Sequence, residues 1–262
     1  MNFKAKKSLG QNFLIDQNVL EQIVDTVEIK DKEILEIGPG SGNLTVHILK
    51  QSPKKMYVIE KDNELSLLLT EKFNNEITII NDDVLKIATN KISKTKLTVF
   101  GNLPYNISTE ILSQWIMSIK NDFWFENLVL MFQKEVADRI IAKHNTSNYG
   151  RLSILSNWKL DVKKIIDIKP DSFSPRPKID STLLVFKPKE NFIELKNAKN
   201  LEMLTRIFFS QRRKMLKKPF NRIFTNAEEI SKKLDIDLNL RPQNLSPETY
   251  FLLTREYEKL RG

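Results

Sequence analysis

The sequence predicts an α/β protein: a parallel sheet with helices on both faces, followed by a smaller all-helical region. Two observations support this prediction. Short apolar, β-branched runs alternate with helical patterns through the first two-thirds of the 262 residues, whereas the chain beyond Phe186 reads only as helix or turn. Alternating strands and helices are typical of a parallel sheet, because each return to a neighbouring parallel strand requires a crossover.

The individual elements follow from local patterns. Asp16 is a good N-cap for a first helix, and Ser108 is predicted to cap a helix with a stripe of Ile, Leu and Trp. The predicted buried strands are Glu33–Ile37, Lys55–Glu60, Glu76–Asn81, Leu97–Phe100, Leu128–Phe132 and Ser181–Phe186. Further helices are predicted at Val136–Ala142 and Leu152–Trp158, and a late one opens at Ser246, whose successor Pro247 suits a first turn.

A polar stretch, Lys187–Asn200, separates the two regions. We therefore predict a sheet-containing domain over residues 1–188, with a basic N-terminal arm, and a helical domain over residues 189–262.

Composition restricts the class of protein. The chain has 42 Lys and Arg against 33 Asp and Glu, and its 40% hydrophobic content is typical of a folded chain. It has no cysteine and two histidines, which excludes disulfides, thiolate nucleophiles and Cys-ligated metals and leaves no predicted metal site. The apolar stretches are far shorter than the roughly 20 residues of a membrane span, and no signal peptide is recognisable, so we expect a cytoplasmic protein.

The positive charge lies mainly in two segments. Residues 1–15 and 203–222 contain ten basic residues and no acid, while the rest of the chain is nearly neutral. Two basic clusters on a chain of pI about 9.4 favour binding to a phosphate backbone. The basic residues in these segments are Lys4, Lys6, Lys7, Arg206, Arg212, Arg213, Lys214, Lys217, Lys218 and Arg222.

A glycine loop follows the first predicted strand. Three of the seven glycines fall in Glu36–Gly42, and a helix is predicted to begin near Asn43. Such a loop lets the backbone approach a ligand, although a tight turn alone would also use glycine. The dinucleotide fingerprint G-x-G-x-x-G fails because Asn43 stands where its third glycine would be, which disfavours a nicotinamide-dependent dehydrogenase.

Two acidic residues follow the next two strands. Glu60 ends the second strand, where a carboxylate can accept hydrogen bonds from a ribose diol. Asp83 lies just past the third strand, where it could meet an adenine amino group. Behind a glycine loop containing Gly38 and Gly40, the two acids favour an adenosine-containing cofactor over two unrelated loop carboxylates.

The fourth strand ends in the turn Gly101–Tyr105. Methylation of an exocyclic adenine amine places positive charge on nitrogen, and acceptors aimed at its N–H bonds stabilise that charge. The Asn102 side-chain oxygen and the Leu103 carbonyl could supply two acceptors, Pro104 stiffens the turn, and Tyr105 could stack on an unstacked base. The alternative is an ordinary turn, since Asn, Gly and Pro are common there.

These segments together resemble the S-adenosylmethionine-dependent rRNA adenine N6-dimethyltransferases, and most closely their small-subunit branch. The resembling segments are KSLGQNFL at 7–14, EIGPGSG at 36–42, NLPYNIST at 102–109, FQKEVADRI at 132–140, FSPRPKIDS at 173–181 and FSQRRKML at 209–216. The resemblance covers nearly the whole chain. It implies a class I, Rossmann-like methyltransferase domain with a mostly parallel seven-stranded sheet, and a helical rRNA-binding domain.

The resemblance also implies roles for individual residues. S-adenosylmethionine would be bound by Asn12, Leu14, Gly38, Gly40, Glu60, Asp83 and Asn102. Phe173 would pack on the target base together with Tyr105, although a phenylalanine at this position could simply cover the core edge. The resemblance also leads us to expect proline in many relatives at the position of Arg176.

The implied reaction is dimethylation of two adjacent adenosines in the 3′-terminal hairpin loop of 16S rRNA. The expected partner is an immature 30S subunit, and the free protein is expected to be a monomer. The alternatives are a large-subunit methylase that confers macrolide-type resistance, and a non-catalytic ribosome assembly factor on the same fold.

Overall fold

A computed structural model describes Lys6 and residues 10–120 and 122–261. The chain divides into two compact units. The first contains the residues up to Ala137 together with Val162–Pro188, and the second contains Asp138–Asp161 and the residues from Lys189 onwards.

The first unit is built on a seven-stranded sheet with strand order β4-β3-β2-β5-β6-β9-β7. Its strands are β2 (Glu33–Ile37), β3 (Lys55–Ile59), β4 (Thr78–Ile80), β5 (Leu97–Gly101), β6 (Phe125–Gln133), β7 (Leu160–Ile168) and β9 (Ser181–Pro188), of which only the first two residues of β7 belong to the second unit. The pairs from β4 to β6 are parallel, and β9 runs antiparallel to β6. A second, two-stranded sheet pairs β1 (Phe13–Leu14) with β8 (Phe173–Ser174). The predicted mostly parallel, seven-stranded sheet is confirmed.

The sheet is covered on both faces, since adjacent residues on its strands are both buried. Ile34 and Leu35 point to opposite faces of β2, and neither is exposed to solvent. The helices before β6 are α1 (Gln17–Val24), α2 (Asn43–Lys50), α3 (Asn63–Phe73) and α4 (Ser108–Ser118). Residues of α1, α2 and α3 share one buried cluster with one face of the sheet.

The second unit is helical. Its helices are α6 (Arg151–Lys159), α7 (Ala198–Phe209), α8 (Lys217–Ile223), α9 (Ala227–Lys233) and α10 (Pro247–Leu260), and α5 (Lys134–Ile140) crosses the division between the units. Helix α10 packs on α6 and α7. The Phe208 ring lies 5.5 Å from both Phe220 and Tyr250, with edge-to-face geometry.

The single boundary after residue 188 does not account for Asp138–Asp161, which belongs to the second unit. Helix α6 lies in this segment and packs on α7 and α10, which come much later in the chain. The order of elements along the sequence therefore misses this part of the helical unit.

The predicted helix starts are confirmed at Asp16 and Ser246, whose side chains accept hydrogen bonds from backbone N–H groups of the first turn. The Ser108 cap is wrong. Helix α4 already includes Ser108, whose hydroxyl donates to the Tyr105 carbonyl instead. None of the described helices is long and apolar enough to span a bilayer.

Candidate functional site

A cavity of about 180 Å³ opens beside the carboxyl ends of β2, β3 and β5. The chain returns to opposite sides of β2 to form β3 and β5, and ligands of open α/β sheets bind at such a switch point. All of the residues predicted to bind a cofactor line this cavity: Asn12, Leu14, Gly38, Gly40, Glu60, Asp83 and Asn102. Their roles in binding stay predictions.

The glycine loop has a left-handed backbone at three positions. Gly38, Gly40 and Gly42 have φ angles of +65°, +59° and +76°. A Cβ at Gly42 would lie 2.5 Å from the Phe73 ring, and one at Gly40 would lie 2.7 Å from the Phe13 ring. Both the backbone conformation and the available space therefore require glycine at these two positions.

Glu60 lies in the cavity wall with its carboxylate already oriented by backbone groups. Gly40 N donates to Oε2 at 3.2 Å, and Asp62 N donates to Oε1 at 2.9 Å. The side chain is 6% exposed, and this burial raises the pKa of Glu60. The hydrogen bonds fix the carboxylate against the glycine loop.

Asp83 is more open and has a basic partner. Lys61 Nζ lies 2.8 Å from Asp83 Oδ2, and Leu85 N donates to Oδ1 at 3.1 Å. The hydrogen bond from Lys61 lowers the pKa of Asp83, so its carboxylate is ionised at neutral pH. An ionised carboxylate can accept a hydrogen bond from an amino group.

Sequence reasoning missed Glu36. It is 2% exposed, lies at the end of β2 and lines the cavity, and Thr45 Oγ1 donates to its Oε2 at 2.7 Å. Burial raises the pKa of Glu36 to about 8. The available signal was an acidic residue within an apolar strand, because a buried carboxyl group is rare without a function or a partner.

The N-terminal segment forms part of the cavity wall and is held by two asparagines. Asn43 Nδ2 donates to the Leu14 carbonyl at 2.7 Å, and Asn102 Nδ2 donates to the Asn12 carbonyl at 2.9 Å. A carbonyl can only accept, so the Asn102 amide nitrogen must face Asn12. The Asn102 side-chain oxygen consequently points away from that carbonyl.

Lys6 does not present a free ammonium group to an RNA. Its Nζ lies 2.8 Å from Asp62 Oδ1 and 3.2 Å from Glu64 Oε1. Gln11 Nε2 also donates to Asp62, and although burial opposes ionisation, the hydrogen bonds from Lys6 and Gln11 leave the pKa of Asp62 lowered. This arrangement ties the segment to the start of α3. Lys4 and Lys7 lie outside the described residues.

The turn after β5 places its residues at the same cavity. Asn102, Leu103, Pro104 and Tyr105 all line it. The Pro104 carbonyl accepts from Ile107 N and Ser108 N at 3.1 and 3.0 Å, so this carbonyl is occupied within the turn. The Tyr105 hydroxyl lies 2.6 Å from Ser181 Oγ in β9, which anchors the ring, and burial raises the tyrosine pKa.

Phe173 is not among the residues that line the cavity. It lies in β8 opposite Leu14, is 3% exposed, and belongs to the buried cluster beneath α1 and α2. Its packing on a target base stays a prediction and would require the ring to become accessible. Arg176, in the loop that follows, forms an ion pair with Asp171 at 2.7 Å.

The basic residues of the second unit do not lie on one helix. Helix α7 ends at Phe209, and the backbone N–H groups of Leu216 and Lys217 donate to carbonyls of 238–240 rather than within a helix. The spacing of seven and four residues between Arg206, Arg213 and Lys217 predicts from the sequence that they share one face of a helix, and this prediction is wrong. The exposed members of the cluster are Arg206, Arg213, Lys214, Lys217, Lys218 and Arg222.

Arg212 has a structural partner set within its own unit. Its Nε donates to Gln243 Oε1 at 3.0 Å, and Nη2 donates to the Thr146 carbonyl at 3.1 Å. These bonds join the turn after α7 to two other segments of the helical unit.

A comparison with protein families identifies the family of this chain. Residues 2–259 match the family model described as ribosomal RNA adenine dimethylase. The chain belongs to this family. Rival dehydrogenase function is excluded by the match, and membership requires a methyl donor, because dimethylases transfer methyl groups.

Relatives within the dimethylase family match along their full length. Ribosomal RNA small subunit methyltransferase A of Pelagibacter ubique is 71% identical over 262 residues, covering 100% of both chains. The protein of the same name from a Wolbachia strain of Drosophila simulans is 41% identical, covering 98% of this chain and 95% of its own.

Solved structures agree with this family assignment. A dimethyladenosine transferase from Plasmodium falciparum superposes with a TM-score of 0.80 at 29% identity, covering 94% of this chain and 98% of that one. The 23S rRNA methyltransferase ErmE superposes with a TM-score of 0.70 at 21% identity, over 94% and 99% of the two chains, which shows a shared fold.

Proposed function

We propose that this dimethylase transfers methyl groups from S-adenosylmethionine to N6 of two adjacent adenosines in the 3′-terminal hairpin loop of 16S rRNA. The observation that carries the proposal is the common location of the Asn102–Tyr105 turn and the predicted cofactor residues around one cavity. The full-length relative at 71% identity, named a small subunit methyltransferase, supports the choice of the small-subunit rRNA over the large-subunit rRNA.

The residues around the cavity suit an adenosine-containing methyl donor. The carboxylate of Glu60, fixed by Gly40 N and Asp62 N, would accept hydrogen bonds from ribose hydroxyls, and the ionised Asp83 would accept one from the adenine amino group. Asn12, Leu14 and Gly38 would contribute to the remainder of the site. When bound, S-adenosylmethionine would supply an electrophilic methyl group on a positively charged sulfur.

Asn102 would act on the target amine. Its nitrogen is committed to the Asn12 carbonyl, so its side-chain oxygen is the atom available to accept an N–H of adenine. A second acceptor would be the Leu103 carbonyl, since the next carbonyl, that of Pro104, already accepts two hydrogen bonds. These acceptors would stabilise the positive charge that develops on the nitrogen. A strong general base is not needed, because the amine proton becomes acidic only after the methyl group is transferred.

The target base must leave its stack to reach such a pocket. Tyr105, anchored by Ser181, would provide a fixed aromatic surface for it, and Phe173 would be the second ring if it became accessible. The exposed basic residues around α7 and α8 would contact rRNA backbone in an immature 30S subunit. In this proposal the enzyme acts as a monomer in the cytoplasm.

The test uses undermethylated small subunits and a radiolabelled methyl donor. The wild-type protein should place label on N6 of two adjacent adenosines, which digestion of the rRNA would identify. Asn102→Ala should lower the rate by about 100-fold or more, as expected for loss of a charge-stabilising group, while Asn90→Ala, an exposed residue outside the cavity lining, should not. Label on any other nucleoside of the small-subunit rRNA, or no label at all, would refute the proposal.

A further inference from the structure

Two carboxyl groups are buried in the wall of the cavity. Glu36 is the next-to-last residue of β2 and Glu60 follows β3, and these strands are parallel neighbours with Ile37 opposite Ile59. The two side chains are 2% and 6% exposed. Both line the cavity, so they meet the same ligand from adjacent strands.

The described residues do not supply an ion-pair partner for either carboxyl group. Glu60 accepts from backbone N–H groups, and Glu36 accepts from the neutral hydroxyl of Thr45. The Lys72 charge acts on Glu36 from a distance, and its Nζ donates to the Ser41 carbonyl at 2.9 Å. A buried carboxylate without a cation is costly and tends to hold a proton.

The electrostatic surroundings of Glu36 combine opposing effects. Burial, with a smaller contribution from the nearby Glu60, raises its pKa to about 8. The Thr45 hydroxyl and the Lys72 charge act in the opposite direction. Glu36 is therefore largely protonated at neutral pH in the protein without ligand, and a positive charge that entered the cavity would favour its ionised form.

We propose that Glu36 distinguishes the methyl donor from its spent product by exchanging its own proton for the positive charge of the donor. The inference rests on the proposed function, because it takes S-adenosylmethionine as the donor. When the sulfonium enters, the Glu36 O–H bond breaks and the proton goes to solvent. After methyl transfer the sulfur is a neutral thioether, and Glu36 takes a proton back from solvent.

This exchange would answer a requirement of dimethylation. Two methyl groups per base require that spent donor leaves between the two transfers. A site that binds the charged donor more tightly than the neutral product favours this replacement, because the attraction is lost in the same step that transfers the methyl group.

The test is isothermal titration of the wild-type protein, without RNA, with S-adenosylmethionine and with S-adenosylhomocysteine. Titrations at pH 6.5 in two buffers of different ionisation enthalpy give the number of protons released. At this pH the α-amino groups of both ligands are protonated, so the released protons come from the protein. The donor should release more protons than the product. The ratio of product Kd to donor Kd should rise between pH 6 and 7, by up to about tenfold.

Glu36→Gln keeps the shape of the side chain and an acceptor for Thr45 but removes the exchangeable proton. It should abolish the difference in proton release and make the Kd ratio independent of pH. Glu33→Gln is the matched control on the same strand, because the Glu33 carboxylate accepts from Ser93 at 2.6 Å and does not line the cavity. This control should behave as wild type.

Equal proton release by the two ligands in the wild-type protein would overturn the inference without requiring any variant. A difference that survived in Glu36→Gln would overturn it as well. Both results leave the proposed function intact, since they require that the donor binds. Failure of S-adenosylmethionine to bind under any of these conditions would instead reject the proposed cofactor, and with it both proposals.

Discussion

Alanine at Gly42 should destabilise the cavity-bearing unit more than alanine at Gly38. Both glycines have a left-handed backbone, with φ angles of +76° and +65°. Their surroundings differ. A Cβ at Gly42 would lie 2.5 Å from the Phe73 ring and 3.1 Å from a Leu69 methyl carbon, whereas a Cβ at Gly38 would be 3.8 Å from the Asn102 carbonyl oxygen.

The expected magnitude follows from these distances. An alanine in the left-handed region costs about 1–2 kcal/mol at either position. The gain from a less flexible unfolded chain, about 0.4–1 kcal/mol, is also common to both variants. Overpacking costs about 1–3 kcal/mol more and applies only at Gly42, because Phe73 and Leu69 are buried and cannot move aside freely. The two variants should therefore differ by about 1–3 kcal/mol.

The difference can be measured by urea unfolding without ligand. Two of the three tryptophans, Trp115 and Trp124, lie in the cavity-bearing unit, so tryptophan fluorescence reports its unfolding, with a contribution from Trp158 of the helical unit. With a denaturant slope of about 2 kcal/mol per molar, Gly42→Ala should unfold at roughly 0.5–1.5 M less urea than Gly38→Ala. Equal midpoints, or a lower midpoint for Gly38→Ala, would show that backbone strain rather than the Phe73 contact makes glycine necessary in this loop.

Three further predictions concern charged groups. The folded-state pKa of Glu36, about 8, lies above the ordinary value of 4.5, so between these pH values the folded chain holds more protons than the unfolded chain. The free energy of unfolding should therefore fall as pH rises through this range, by up to about 1.4 kcal/mol per pH unit, and Glu36→Gln should flatten the measured profile. Replacing Arg213 and Lys217 with Glu should weaken 30S binding and reduce its salt dependence, measured by filter binding at several salt concentrations, whereas Lys232→Glu in α9 should have little effect; identical slopes for all three proteins would argue against the proposed contact. Glu258→Ala should destabilise the helical unit by about 2–3 kcal/mol in thermal unfolding, because its buried carboxylate accepts hydrogen bonds from two backbone N–H groups and one amide just before and within α7; a wild-type melting temperature would contradict this.

Local patterns predicted the elements whose conformation depends on near neighbours. Apolar, β-branched runs gave the strand β2 with its bounds unchanged, and Asp16 and Ser246 cap helices as predicted. In each case the residues that decide the conformation lie within a few positions of one another. The edge strand β7 was missed because its residues are mostly polar or partly exposed, and only its place at the end of the sheet makes it a strand.

The candidate site likewise has parts that local sequence predicts and parts that depend on contacts between distant residues. The glycine loop and the NLPY turn are each a continuous stretch of sequence, so the chemistry of each could be predicted from residue types. The orientation of the Asn102 amide could not, because it depends on a carbonyl 90 residues away. Arg212 and Arg213 are likewise indistinguishable in sequence, yet one is bonded to Gln243 and Thr146 and the other is exposed.

The sequence by itself determined the α/β class and the succession of strands around the glycine loop, and it supplied the residue types that we predict to accept hydrogen bonds from an adenine amine, since each depends on short stretches of chain. Only the tertiary structure decided that Glu36 is buried beside Glu60, that Lys6 pairs with Asp62, and that Phe173 lies in the core. Burial and charge pairing depend on which distant segments pack together, and these contacts set whether a side chain is ionised, paired or accessible.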